Sequence, residues 1–418
     1  MKKISTLTLH NLKKAKGQYI SFGVFICLTA FIINIALVLA FQTFNAYDSL
    51  FDKLNTADIN FIIPQIQDSS DLLAEVEEID GVSIVEKHGG VFTQVTVREF
   101  AGSDFDMNTV FYNLDGERTL NLLTVTESTG KSGHSVSIPM YMKELGGFAE
   151  GGSIVYSIDG KEHTYDIGGI VSEMQYGNYG TGMIGGYFPE AAYEVFAEEY
   201  PDHVITEYSI KTADTTDLSE MKNTISEMLR EKGIALLNIN DRDTAKQTRT
   251  MVCTLLIVIF LALASIILVV SIFLSNFRIR SAIEGELAQM GVLKAVGYTS
   301  NLIIASTIMP YMLVGIAAMV IGIALSYAVL PSVAGILAIQ SGFSYTPAFD
   351  IAALLIVLLT LTCAILLFAY LSAGKIHRLE PINAIRGITG DESAGQNILL
   401  FIVSFGIMVL VSFAGPLL

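Results

Sequence analysis

Charged side chains are missing from five long stretches of this sequence. Although 16% of its 418 residues are charged, none of these stretches contains Asp, Glu, Lys or Arg. A helix needs about 20 predominantly apolar residues to cross the hydrocarbon core of a bilayer, and each stretch is at least that long. The sequence therefore predicts five membrane spans, at residues 19–41, 251–277, 303–330, 351–373 and 397–418.

Cysteine is scarce, and its positions restrict how the rest of the chain is held together. Cys27, Cys253 and Cys363 all fall within predicted spans, so residues 42–250 contain no cysteine. Disulfides therefore cannot stabilise this long segment. At about two hundred residues, it is large enough for one or two ordinary hydrophobic cores.

Motifs for catalysis and metal binding are also lacking. Gly130-Lys131-Ser132 is similar to the end of a phosphate-binding loop, but Val125 stands where that loop needs a glycine. No Ser-His-Asp or nucleophile-elbow pattern occurs. The sequence predicts a chain that is not an enzyme and binds no cofactor or metal directly. The histidines without metal-ligand spacing are His88, His134, His163 and His203.

The basic residues that flank the spans indicate an orientation. They form three groups: before the first span, between the second and third, and after the fourth. Alternating spans place all three groups on one side, which the positive-inside rule makes the cytoplasm. The sequence predicts a multi-pass protein of the cell membrane with a cytoplasmic N-terminus and an extracytoplasmic domain over residues 42–250. The basic residues are Lys2, Lys3, Lys13, Lys14, Lys16, Arg278, Arg280, Lys294, Lys375, Arg378 and Arg386.

The predicted extracytoplasmic domain is strongly acidic. Between Asn45 and Thr248 it has 13 Lys and Arg residues against 35 Asp and Glu residues. Such a domain attracts cationic peptides, or it carries a solvated acidic surface without a partner. Both interpretations stay open, whereas nucleic acid is excluded as a partner because no basic stripe occurs outside the short cytoplasmic segments.

The two ends of this domain have an α/β pattern. Residues 59–64 predict a strand, 69–78 a helix, and 82–100 an alternating strand with a bulge or turn at Gly89-Gly90. Near the end, residues 204–211 predict a strand, 217–232 a helix stopped by Gly233, and 234–238 another strand. We expect one split α/β part, at about 55–100 and 201–240, around a mostly β insertion at about 101–200.

A glycine- and tyrosine-rich segment stands out within the insertion. Residues 176–188 contain five glycines and the rings of Tyr176, Tyr179 and Tyr187. A flexible backbone that carries amphipathic rings suits an adaptable partner-binding loop. The same composition suits a surface hairpin without a partner equally well. The segment is therefore a candidate partner-binding site, and the hairpin stays open as the alternative.

Three short motifs distinguish the predicted cytoplasmic segments. The first is an amphipathic stretch with Asn11-Leu12-Lys13-Lys14 before the first span, in a helix expected at residues 1–18 on the membrane face. The second is a helix-prone polar loop at residues 278–302, which begins with acidic residues and ends with a Gly-x-Leu-Lys-Ala-x-Gly pattern. The third follows the fourth span, within the linker 374–396. The motif residues are Glu286, Met290, Gly291, Leu293, Lys294, Ala295, Val296 and Gly297 in the loop, and Pro381, Ala384 and Arg386 in the linker.

In this order, the motifs resemble those of the FtsX/MacB-type ABC transporter permeases over about residues 1–390. The resemblance implies an α-helical FtsX-like fold with a four-helix permease core, here followed by a fifth span. It also implies an α/β (α+β) extracytoplasmic domain between the first two spans, with its split part similar to the porter-like part of MacB. The expected partners are a cytosolic ABC ATPase dimer, which uses the ATP, a second permease half or second copy, and the lipid bilayer.

The sequence departs from the family pattern in two places. Gln289 and Met290 replace a Glu-Ile pair in the loop, which removes the carboxylate that would face the ATPase. The apolar run 397–418 is an additional span, and it favours the interpretation that this chain is the first half of a longer two-repeat permease. A separately encoded second half is the alternative.

Two functions follow as hypotheses. In the first, the loop helix inserts Met290, Leu293 and Val296 into a groove of the ATPase, and the permease exports or extracts a peptide, lipid or lipoprotein. The spans contain no ionisable group for proton or sodium coupling, which favours this external energy source. In the second, the chain is a regulatory sensor whose extracytoplasmic domain binds a ligand or a cell-wall hydrolase without transport.

Overall fold

The computed structural model describes residues 16–128, 134–213, 216–285, 292, 296–343 and 346–373. The chain divides into two units. A helical unit comprises residues 1–42, 253–333 and 347–418, and a strand-rich unit comprises residues 43–252 and 334–346. Three long helices belong to both units, because each crosses a boundary between them along the chain.

Four helices supply the apolar runs. They are α1 (Lys16–Lys53), α6 (Arg242–Gly285), α7 (Ser300–Ser341) and α8 (Ile351–Ala373). Among the described residues, three helices are long and apolar enough to cross a membrane: Lys16–Lys53, Arg242–Ser271 and Leu302–Ser341. Helix α8 adds a further apolar stretch, described over Ile351–Leu366. The fifth predicted span, at 397–418, lies outside the described residues.

Two helices extend beyond the predicted spans. Helix α6 begins at Arg242, nine residues before residue 251, as expected if the long second span continues outward as a helical stalk rather than only tilting in the membrane. Helix α7 continues through Pro331 to Ser341, eleven residues beyond the predicted end of the third span, and this bound needs correction. Ala334 and Leu337 are buried in this extension, and their packing stabilises a helix that proline would otherwise disfavour.

Within the strand-rich unit, the α/β part is built from both ends of the segment. An antiparallel sheet has the order β10-β1-β9-β2, and two amphipathic helices pack their apolar faces on it. Asp217 caps the second helix through the backbone N–H groups of Ser219 and Glu220. The elements are β1 (Ile59–Pro64), α2 (Ser70–Glu77), β2 (Val82–Phe100), β9 (Val204–Thr212), α5 (Leu218–Glu231) and β10 (Asn238–Asp241).

Strand β2 continues into the second part of the unit. Its first half pairs with β9, and its second half pairs with β3 and β6. The pairing order β2-β3-β8-β5-β7-β6 returns to β2, which closes these strands into a barrel around an aromatic core. The remaining elements are β3 (Ser103–Asn113), β4 (Thr124–Ser128), β5 (Ser135–Pro139), α3 (Met140–Glu144), β6 (Ser153–Ile158), β7 (Lys161–Ser172), β8 (Ile184–Phe188) and α4 (Glu190–Glu199).

Two local expectations within these elements are wrong. Gly89 and Gly90 form no bulge or turn, because both stay in regular register with β9. Glycine at position 90 lets the Tyr112 ring pack on the strand, since a Cβ there would lie 2.9 Å from that ring. The last strand begins at Asn238 rather than at 234, and the N–H of Leu237 already donates to the Ile62 carbonyl before it.

Candidate functional site

The ends of three long helices meet a loop within the strand-rich unit. We call this cluster the junction and define it by Tyr47 of α1, Arg249 of α6, Phe343 just after α7, and Glu173 and Asn178 of the loop after β7. The side chains of Tyr47, Glu173, Asn178, Arg249 and Phe343 are all nearly inaccessible to solvent. The junction therefore joins the parts of these helices that belong to the strand-rich unit.

Helices α1 and α6 are joined by polar contacts. The Lys246 ammonium lies 2.6 Å from a carboxylate oxygen of Asp48 and 5.8 Å from the centre of the Tyr47 ring. The Tyr47 hydroxyl donates to the Arg242 carbonyl at 3.5 Å. On its other side, Tyr47 packs edge-on against Phe343 with 6.0 Å between the ring centres, which links α1 to the end of α7.

A buried ion pair fixes α6 to the loop. The Arg249 side chain has no exposed surface, and its Nη2 atom lies 3.8 Å from Oε1 of Glu173. Arg249 also donates from Nη1 to the Glu173 carbonyl at 3.3 Å. The other carboxylate oxygen of Glu173 accepts the Gln175 N–H at 2.7 Å, so the same side chain shapes the loop. Burial raises the pKa of Glu173, and the nearby Arg249 opposes that rise.

Asn178 joins the loop to the end of α7. Its side-chain nitrogen donates to the carbonyls of Gln340 and Ser341, at 3.1 and 3.5 Å, which are among the unpaired carbonyls at a helix C-terminus. Its side-chain oxygen accepts the Gly180 N–H at 3.2 Å. One asparagine therefore holds the loop turn and the helix end together.

Glycines allow the loop to approach its neighbours this closely. A Cβ on Gly177 would lie 2.6 Å from the Glu173 carbonyl oxygen and 2.9 Å from Nη2 of Arg249. Gly342 has φ +73°, and a Cβ there would lie 2.7 Å from the Gly177 carbonyl oxygen. Backbone atoms cannot move aside cheaply, so both positions require glycine.

The tyrosines of the predicted partner loop lie elsewhere than expected. Tyr176 and Tyr187 are buried, so the expectation of an exposed adaptable loop or surface hairpin is wrong for both. The Tyr176 hydroxyl donates to the buried Glu207 carboxylate at 2.7 Å, and both rings stack near Tyr112. Tyr179 is half buried and contacts Phe105. The glycines that suggested flexibility serve close packing instead.

Most of the predicted coupling residues lie outside the described residues. These are Glu286, Met290, Gly291, Leu293, Lys294, Ala295, Pro381, Ala384 and Arg386. Of the rest, Val296 is 72% exposed and Gly297 has φ +101°, a conformation that favours glycine. Among the described residues, no group of three or more His, Cys, Asp or Glu side chains could hold a metal ion.

Sequence reasoning missed the junction. No pattern in the sequence singled out Arg249, Asn178 or Glu173. One signal was available: the basic Arg249 directly precedes an uncharged run, where a buried arginine needs a carboxylate partner.

Comparison with known proteins finds a family model and solved structures that are similar to parts of this chain. Two solved structures are similar to the chain at 12% identity and a TM-score of 0.23. The match to the periplasmic region of MacB from Actinobacillus actinomycetemcomitans spans 47% of this chain and 94% of that structure. The match to a domain of a permease protein from Porphyromonas gingivalis spans 42% of this chain and 84% of that structure. No curated protein matches the sequence. Residues 251–381 match the family model of the FtsX-like permease C-terminal domain.

Proposed function

We propose that this chain is the membrane permease subunit of an ABC transporter, which converts ATP hydrolysis by a separate cytosolic ATPase dimer into movement of its extracytoplasmic domain. The family match over residues 251–381 supports the permease role. The observation that carries the mechanical part is the junction, in which α1, α6 and α7 are tied to one loop of the strand-rich unit. The strand-rich unit is then the extracytoplasmic domain.

The path for this motion begins at the polar loop of residues 278–302, which we call the coupling loop. Met290, Leu293 and Val296 would dock on the ATPase, with Gly291 and Gly297 permitting close approach and Glu286 and Lys294 at the polar rim. Closure of the ATPase dimer would move α6 and α7, which flank this loop in the chain. Both helices are continuous in their described backbone as far as the junction, and α7 contains Pro310 and Pro331 along this path.

The junction is suited to pass this displacement on. Buried ion pairs and close-packed backbones have discrete arrangements and resist gradual deformation. A shift of α6 would move Arg249 and with it Glu173, whereas a shift of α7 would move the carbonyls that Asn178 holds. Both shifts reach the loop that connects β7 to β8, and therefore the barrel.

We propose a chemical class of substrate rather than a single compound. A mechanical permease without ionisable groups in its spans suits a peptide, lipid or lipoprotein that is expelled or extracted at the extracytoplasmic surface. A second permease half or a second copy would complete the transporter. In the alternative, the same motion signals to a ligand or a cell-wall hydrolase, and nothing is transported.

The test is reconstitution in nanodiscs with the cytosolic ABC ATPases of the same cell. We expect one ATPase to co-purify and to lose both binding and membrane-stimulated ATP turnover with Leu293→Asp. Ile66→Asp is the matched control, because Ile66 is an apolar side chain that is 95% exposed in the strand-rich unit. An ATPase that still binds and couples to Leu293→Asp would overturn the coupling role.

A second readout separates the two functions. ATP-dependent hydrogen exchange at the barrel strands tests the motion itself. Release of a labelled peptide or lipid from the nanodisc distinguishes transport from signalling, because the sensor function requires the motion without release.

A further inference from the structure

An open apolar groove lies in the helical unit between the first half of α1 and the middle of α7. Its volume is about 750 Å³, and it extends along α1 from Lys16 to Phe31. The groove belongs entirely to the helical unit, so it is separate from the junction and from the coupling loop. Nothing in the proposed coupling path uses it.

The side chains explain why a groove forms there. On α1, the exposed Ile20, Val24 and Leu28 recur every four residues and form one wall, since this spacing places them on one helix face. On α7, Ile321 and Leu325 form the opposite wall. The floor between the walls is made of small residues: Gly23, Cys27 and Ala318.

Glycine draws the two helices together at the floor. A Cβ on Gly23 would lie 3.0 Å from a methyl group of Val314, so the backbone of α1 packs directly on side chains of α7 at this position. Large walls on either side of a small-residue floor leave a channel rather than a flat seam. The channel is part of how these two helices pack.

One end of the groove is charged. Among the described residues that line it, Lys16 is the only charged one, and it lies at the N-terminal end of the first span. An ammonium at the edge of an apolar channel, at the position of the membrane interface, matches the phosphate of a lipid headgroup.

The length of the groove suits an acyl chain. The 15 steps from Lys16 to Phe31 correspond to about 22 Å at the helical rise of about 1.5 Å, somewhat more than the half-thickness of about 15 Å of the hydrocarbon core. A single acyl chain laid along the groove would therefore reach from the headgroup region towards the centre of the bilayer.

We propose that this groove binds an anionic phospholipid, with one acyl chain along the channel and its phosphate at Lys16. Lipid tails are as apolar as the groove walls, so the apolar contact alone gives no preference over bulk lipid. Selectivity comes from Lys16, and a single basic residue at an interface gives about fivefold enrichment of anionic lipid.

The absence of tryptophan from the sequence makes a direct test possible. Leu28→Trp places a fluorophore on the groove wall. Leu359→Trp is the matched control, because Leu359 is 69% exposed on α8 and does not line the groove. Both leucines lie within apolar runs. Each variant is placed in phosphatidylcholine nanodiscs that contain a small fraction of phosphatidylglycerol with brominated acyl chains.

We expect the brominated phosphatidylglycerol to quench Leu28→Trp about fivefold more efficiently than Leu359→Trp. Adding Lys16→Gln should reduce the quenching of Leu28→Trp to that of the control, and brominated phosphatidylcholine at the same fraction should quench both equally. Equal quenching by brominated phosphatidylglycerol would overturn the proposal. So would a Leu28→Trp that neither lipid quenches, because protein would then cover the groove.

Two further points keep the test decisive. If Leu28→Trp does not fold, Val24→Trp on the same wall replaces it. The measurement uses no ATPase, so its result is independent of the proposed coupling function.

Discussion

The two units bury polar groups in different ways. In the helical unit, the buried polar residues among those described are uncharged, and Asn34 donates to Ser326 at 2.7 Å between α1 and α7. The strand-rich unit buries Glu173, Glu207 and Arg249. A bilayer strongly disfavours buried charge, whereas a domain in water can bury charges that are paired. Within the described part of the chain, buried charged side chains therefore occur in the strand-rich unit and not in the helical unit.

This contrast has a consequence for the junction. Arg249 directly precedes the second apolar run, and its carboxylate partner comes from a loop after β7. A pair at this position fixes the helix more firmly than an apolar contact would, because separating it leaves two charges without partners.

Removing Arg249 should have the largest effect. We expect Arg249→Met to lower the free energy of unfolding of the strand-rich unit by about 3–5 kcal/mol, because it leaves Glu173 buried without its counter-charge. Chemical denaturation of the full chain in detergent, followed by tyrosine fluorescence, measures the loss.

The matched control for Arg249 is an exposed ion pair in the same unit. Arg98 lies 2.5 Å from Asp104 and 2.9 Å from Glu162, and all three side chains are accessible to water. We expect Arg98→Met to leave the unfolding midpoint almost unchanged. Equal losses for the two variants would mean that burial of the pair is irrelevant.

Adding one methyl group at Gly177 should have the next largest effect. The new Cβ of Gly177→Ala would collide with the Glu173 carbonyl and with Arg249, and overpacking of this kind destabilises by about 1–3 kcal/mol. Gly335→Ala is the control, since no atom lies within 4 Å of the corresponding Cβ and alanine favours a helix. The same denaturation experiment should show a loss for the first variant and none for the second.

Element types were predictable from the sequence, whereas the junction was not. The period of apolar residues identified β1, α2, β9 and α5 within one residue at most of their ends, because local patterns determine such elements. Helix α7 was predicted to end at residue 330, since Pro331 is a local signal and the packing of Ala334 and Leu337 is not.

Tertiary contacts explain the remaining errors. The glycines of residues 176–188 suggested flexibility, yet Gly177 is needed for a close contact with Arg249, 72 positions away in the chain. The pairing of Glu173 with Arg249 likewise depends on where the β7 loop meets α6. A single sequence contains no direct signal for either contact.

Removing the Asn178 side chain should have a smaller, local effect. Asn178→Ala loses the two contacts to the carbonyls at the end of α7, and loss of an intramolecular hydrogen bond typically costs about 1 kcal/mol. Hydrogen exchange of residues 338–343 should accelerate while the barrel strands stay protected. Asn108→Ala, which removes an exposed 3.3 Å contact to the Gly182 carbonyl, is the control. Unchanged exchange at the end of α7 would show that Asn178 does not hold it.

The smallest effect on stability is expected for a substitution of Glu207, and it is the only one expected to increase stability. Burial raises the pKa of this carboxyl above its ordinary value of 4.5, although Tyr176 donates a hydrogen bond to it. A raised pKa in the folded state means that stability is full below pH 4.5 and decreases as pH rises through the folded pKa. Glu207→Gln stays neutral and can still accept from Tyr176, so it should be more stable than the wild type at pH 7 and equally stable near pH 4. A thermal melt of both proteins across this range measures the difference, and a variant that is less stable at pH 7 would mean that the buried charge stabilises the fold.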